Sequence, residues 1–126
     1  MQQLVAHIFG DYIIQSHWMA CEKSRRSLPA FVHSITYALP FIFITISPSA
    51  MFVITGTHFV IDRWSLAKYV IWAKNFMSPR RYWRPWSDCR STGYPSAEPE
   101  WLTRWLNIIA DNGIHLLINF LSIQHL

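Results

Sequence analysis

Three apolar stretches of this 126-residue chain each carry a histidine and an aspartate four residues apart. They are His7 and Asp11 in "AHIFGDYIIQS", His58 and Asp62 in "THFVIDR", and Asp111 and His115 in "ADNGIHLL". At that spacing both side chains of a pair lie on one face of a helix. Imidazole nitrogens and carboxylate oxygens are ligands for divalent transition metals, and facing helices of a bundle commonly build such sites. His7, Asp11, His58, Asp62, Asp111 and His115 are therefore the expected metal ligands. The expected ion is zinc, with manganese or iron as alternatives. His33 stands in a further apolar stretch, and Gln15, Tyr37 and Asn119 extend the same faces at four-residue spacing.

Such a metal acidifies a bound water and polarises a phosphoryl or acyl oxygen, which is the chemistry of hydrolysis. A carboxylate such as Asp62, or His33, would serve as general base. Lys23, with Arg25 and Arg26 in "CEKSRRS", would neutralise an anionic headgroup, although a basic loop of this kind also serves as a plain topology signal. Asp62, His33 and Lys23 are thus the expected catalytic residues. Three clustered carboxylates without a cation would repel one another, and a metal removes that cost. Two other readings compete with metal binding: a buried polar network that fixes helix register, and an Asp/His relay serving an ion or proton pathway.

The elements that must position these groups read as membrane helices. Hydrophobic residues make up 52% of the chain and charged residues only 14%, against about 25% charged in soluble domains. No Asp, Glu, Lys or Arg occurs from Ser27 to Ile61, nor from Asn112 to Leu126. The mean hydropathy of +0.15 is modest, because the polar stretch from Ser78 to Glu100 lowers it. A spanning helix takes about 20 apolar residues, and four segments fit: 3–20, 28–47, 49–75 and 101–121. The expected architecture is all-α, a single domain over 1–126 built as an integral membrane bundle of four short transmembrane helices. Pro40 should kink the second helix, and "SPS" at 47–49 should turn the chain into the third. A signal peptide is not expected at the start, since there is no basic flank and no small-residue cleavage site.

Lys and Arg fall in the first loop and around the third, at 76–100. The positive-inside rule then places both loops in the cytoplasm and both termini outside. With that topology the inverted order in the fourth helix puts all three Asp nearer the cytoplasm, and each His about one turn, roughly 6 Å, further out. The pairs should meet at one level of the bundle, with His33 near or just below the Asp layer. Insertion scales price a central Asp at about 2.5–3.5 kcal/mol, so its presence asks for a partner or an ion. His17 and His125 read as surface groups, and Cys21 and Cys89 as incidental thiols on the cytoplasmic side. The stretch "PRRYWRPWSDCRSTGYPSAEPEWLTRW" reads as an interfacial belt against anionic headgroups rather than a nucleic-acid site.

The segments "AHIFGDYIIQSHWMACEKSRRS", "FVHSITYALPF", "GTHFVIDRWSLAKY" and "TGYP…WLNIIADNGIHLLIN" resemble the domain-of-unknown-function 3307 family, small membrane proteins of phage and bacteria. The resemblance runs over nearly the whole chain, through His7, Asp11, Gln15, Lys23, His33, Tyr37, His58, Asp62, Asp111, His115 and Asn119. It implies a membrane location in a phage or bacterial setting, and no activity. A looser likeness, in style only, is to membrane-bound metal-dependent hydrolases. The expectation is a multi-pass protein of the bacterial inner membrane. It would hydrolyse a lipid-linked, phosphate-bearing substrate, with the lipid bilayer and a second copy of the chain as partners and no nucleic acid. The alternatives are a non-enzymatic phage membrane factor that binds a host membrane protein, and an oligomeric ion or proton pathway.

Overall fold

A π turn, a serine cap, a proline and a left-handed serine cut the apolar segments short, and these breaks shape the fold. A computed structural model describes all 126 residues, which form helices and turns with no strand. The chain divides into two compact units. One comprises Met1–Ser65 with His115–Leu126, and the other Leu66–Ile114.

In the first unit, α1 (Gln2–Ile8) runs into a π-helical turn, Phe9–Ile13. Such turns insert an extra residue per turn and often mark functional positions. Here the turn carries Asp11. Gly10 lies against Tyr37 so closely that a Cβ would come 2.7 Å from the Tyr37 carbonyl oxygen and 2.9 Å from its ring. The helix then stops, and Ser16 restarts it by accepting a hydrogen bond from the Met19 amide at the head of α2 (His17–Glu22). Helix α3 (Ser27–Ala38) tightens into a 3-10 turn over Leu39–Phe43. Pro40 supplies the reason, since it has no N–H for the α ladder. Ser47 caps α4 (Pro48–Trp64) through the Ala50 amide, with Pro48 at the first helical position. Ser65, left-handed at φ 49°, ends α4. The Ser47 and Ser49 hydroxyls donate to the Leu126 carbonyl oxygen, which ties the end of α7 (Glu100–His125) to the start of α4.

The apolar core of this unit is small: Ala6, Tyr37, Phe41 and Ile54, with Ile44, Met51 and Ile123 packed against it. Beside it lies a buried polar layer of His7, Asp11, His33, His58, Asp62, His115 and Asn119. The outer surface is apolar instead. Phe43 and Ile46 are each 93% exposed and Phe52 80%, and Val5, Ile13, Leu28 and Phe31 also face outward.

The second unit holds α5 (Ala67–Lys74), 3-10 turns at Asn75–Met77 and Arg80–Tyr82, the short α6 (Trp86–Cys89), and the first part of α7. Gly93, at φ 87°, sits on the Lys68 carbonyl and the Ile71 side chain, where a Cβ would collide. Tyr69 stacks on Trp86 with ring centres 4.7 Å apart, and Trp72 meets both Trp86 and Phe76 edge-on. The expected polar loop at 76–100 is therefore partly organised by an aromatic cluster.

The all-α class is as expected, but four continuous spans do not form. Only α7 is long and apolar enough to cross a membrane, by length and composition. The segment 3–20 is broken at the π turn and at Ser16, 28–47 shortens to a 17-residue helical stretch at Pro40, and 49–75 breaks at Ser65. Apolar character runs on through these positions, whereas backbone hydrogen bonding does not.

Gly10→Ala should cost about 1–3 kcal/mol of stability, since the added methyl meets the backbone of α3. Gly56→Ala within α4, where a Cβ meets nothing within 4 Å, should instead gain about 0.5–1 kcal/mol. Denaturant unfolding of the two variants beside the parent checks both signs.

Candidate metal centre

The π turn, α2, α3, α4 and the last part of α7 each deliver one or more polar side chains to one buried space. Asp11 comes from the turn, Lys23 from the end of α2, His33 from α3, His58 and Asp62 from α4, and His115 from α7. Asp11, His33, His58 and Asp62 are all buried, and each offers one donor atom within 4.8 Å of the others. His33 Nε2 lies 3.1 Å from Asp11 Oδ1, 3.2 Å from Asp62 Oδ2 and 3.0 Å from His58 Nε2. His58 Nε2 lies 3.3 Å from Asp62 Oδ2 and 3.8 Å from Asp11 Oδ1.

These contacts exceed what hydrogen bonding can use. An imidazole nitrogen has one proton or one lone pair. Yet His33 Nε2 faces two carboxylate oxygens, a second imidazole nitrogen, and the Lys23 ammonium at 3.2 Å. Asp62 Oδ2 is buried with nitrogens 2.8–3.3 Å away, and none is aligned to donate to it. The donor atoms converge on a common space more than they pair with one another.

Around this group lies a supporting set. His115 Nε2 is 3.3 Å from Asp62 Oδ1, and its Nδ1 is 3.2 Å from His58 Nδ1. The Tyr37 ring stacks on His58 with centroids 3.6 Å apart and planes 10° from parallel. Asn119 Nδ2 donates to the Tyr37 hydroxyl at 2.6 Å, and that hydroxyl lies 2.8 Å from His7 Nδ1. With Asn119 as donor to the phenol oxygen, the phenol proton is left for His7 Nδ1. That polarity puts the imidazole proton on Nε2, which looks toward Asp11 Oδ2 at 3.9 Å.

Of the six expected ligands, the structure brings Asp11, His58 and Asp62 into the four-donor group. It sets His7 behind Asp11, and His115 behind Asp62. Asp111 belongs to the other unit and is half-buried. His33, expected as a general base, is the fourth donor. Only its spacing from Tyr37 hinted at an inward face, because it has no aspartate partner on its own helix. Lys23, expected as an outer anion contact, reaches both carboxylates, at 2.8 Å from Asp62 Oδ2 and 3.5 Å from Asp11 Oδ1. Gln15 falls in the break before Ser16, and its buried Oε1 has no hydrogen-bond partner. Cys21 is exposed beside His17. Burial pushes the Cys89 thiol up, with the Asp88 charge adding to it, so it stays protonated.

Tyr37→Phe removes the hydroxyl that links Asn119 to His7 and leaves buried polar groups short of a partner. A loss of about 1–3 kcal/mol is expected, read by denaturant unfolding. The double variant Tyr37→Phe/Asn119→Leu should recover part of it.

No curated protein and no solved structure matches the chain. One family model does match, over residues 1–83, and it carries the description "Protein of unknown function (DUF3307)". The matched segment contains His7, Asp11, Lys23, His33, Tyr37, His58 and Asp62, while Asp111, His115 and Asn119 lie beyond it, so the likeness is narrower than the near-complete one expected. Two-thirds of the sequence, including every residue of the four-donor group, thus places this chain in the DUF3307 family.

Proposed function

We propose that Asp11, His33, His58 and Asp62 hold a divalent metal, zinc first, and that the protein is a metal-dependent hydrolase of a lipid-linked or phosphate-bearing substrate. The observation that carries the metal is the spacing of the donors. Zinc bonds to nitrogen and oxygen of about 2.0–2.1 Å imply tetrahedral donor separations of about 3.3–3.4 Å. The separations between imidazole and carboxylate donors are 3.1, 3.2, 3.3 and 3.8 Å, and the two imidazole nitrogens are 3.0 Å apart. Two carboxylates also balance a doubly charged ion. His115 then holds the Asp62 carboxylate from behind, in the way outer partners orient metal ligands.

When bound, such an ion polarises a phosphoryl or acyl oxygen and acidifies water. The chain's own residues do the rest. His33 commits Nε2 to the donor set, whereas a carboxylate that gives one oxygen to it keeps a second, so the general-base role passes to a carboxylate. Asp11 suits it better than Asp62, its side chain being 8% exposed against 3%. Lys23 is available to an anionic substrate, being half-buried at the edge of the group.

A multi-pass setting in the bacterial inner membrane completes the reading. Large apolar side chains on the outside of a polar core suit lipid rather than water, and α7 has the length of a span. The shorter helices would then be held by packing against one another. A proton pathway is the second reading, favoured by the hydrogen-bonded run from Asn119 through Tyr37 to His7, whose Nε2 lies 3.9 Å from Asp11 Oδ2.

Protein purified without chelators should carry about one divalent ion per chain by elemental analysis, and Asp62→Asn and His58→Ala should lose it while keeping their helical content. Phosphate release from phosphatidate should fall in step with metal content across these variants. A parent protein with no stoichiometric metal removes the hydrolase as well as the site.

A further inference from the structure

The four donors are nearly sealed from solvent, and the side chain at their edge is Lys23, which is 21% exposed. Its ammonium touches three of the four donor atoms: Asp62 Oδ2 at 2.8 Å, His33 Nε2 at 3.2 Å and Asp11 Oδ1 at 3.5 Å. Two of those contacts are to the only two carboxylates of the group. The ammonium therefore draws on the same negative charge that a divalent cation there would use.

Resting on the metal reading above, we propose that Lys23 couples metal binding to the binding of a phosphate group. A positive charge within hydrogen-bond distance of the donors opposes a second cation, since like charges so close repel strongly in a buried setting. An anion at the exposed edge offers the ammonium another partner and draws it off the carboxylates. The metal then binds more tightly when phosphate is present. By linkage, phosphate binds more tightly by the same factor when metal is present. The lysine stem is long enough to turn outward without moving α2, and lysine serves as a mobile point charge for phosphate where arginine would be a fixed fork. Lys23 is then a specificity-determining residue: it reserves the loaded site for substrates that bring their own negative charge.

The test is zinc affinity, measured by competition with a chromophoric chelator on the full chain. It is run alone, with inorganic phosphate, and in micelles containing phosphatidate. For the parent, zinc affinity should rise on the order of tenfold with a phosphate source, within the range of ordinary coupling. Lys23→Met should bind zinc about that much more tightly with no phosphate present and gain nothing when it is added. Lys23→Arg should keep the charge, and with it the weaker zinc binding of the parent. Tightening by inorganic phosphate supports a soluble phosphate as the partner, and tightening only in phosphatidate micelles supports a lipid headgroup. A parent that binds zinc with the same affinity under all three conditions overturns the coupling even if a variant fails to fold. So does a folded Lys23→Met with parental zinc affinity. A parent that binds no zinc at all overturns instead the metal reading on which the coupling rests.

Discussion

Asp11 and Asp62 bury their carboxylates in one space, and the placement of the first unit's helices follows from what those two charges need. An uncompensated buried carboxylate costs several kcal/mol, and two within reach of a common neighbour cost more because they also repel. The compensation comes from α3 through His33, from α4 through His58, from α7 through His115 and from the end of α2 through Lys23. None of these groups is close to Asp11 in sequence except Lys23. The polar layer therefore works as long-range glue between helices whose shared apolar core amounts to Ala6, Tyr37, Phe41 and Ile54.

That division of labour inverts the usual arrangement of a water-soluble bundle, where apolar stripes face inward and charges face out. Here a thin apolar core sits beside a polar one, and bulky side chains such as Phe43, Ile46 and Phe52 face outward. Where little apolar surface is buried between helices, register has to come from directional contacts. The Tyr37–His58 stack and the Asn119–Tyr37–His7 run supply them, because each ties α3 to a partner helix at one rotational setting. The close seat of Gly10 on Tyr37 adds a steric stop to the same contact.

The four-residue His–Asp spacing was enough to find the faces that turn inward, and it led to three of the four donors. The depth at which each group acts was not legible. Helical spacing puts His7 and Asp11 on one face a turn apart, and only Asp11 enters the donor set, whereas His58 and Asp62 at the same spacing both enter it; His115, from another helix, lies behind Asp62. The π turn at Phe9–Ile13 shifts Asp11 relative to a regular helix, and nothing in "FGDYI" announces it beyond the glycine. His33 carried a weak signal because it stands alone on α3. The helices were overcounted as spans for a related reason. Hydropathy continues through Ser16 and Ser65, and neither is a strong breaker by type; the breaks come from a cap at Ser16 and a left-handed residue at Ser65.

A network that merely fixed helix register would align donors with acceptors, since a buried polar group gains only when its partner is oriented to meet it. The outer part of this layer does that: Asn119 donates to Tyr37, and the Tyr37 hydroxyl meets His7 Nδ1. The inner part does not. His33 Nε2 has four polar neighbours for one bond, and Asp62 Oδ2 has three nitrogens close by with none directed at it. Satisfied groups surround mismatched ones, and the mismatched atoms, His33 Nε2 and Asp62 Oδ2, belong to the four whose separations suit a single small cation. A register device gains nothing from leaving its innermost atoms mismatched, whereas a ligand set does, because lone pairs that converge on one point are worth most to an ion that takes them all together.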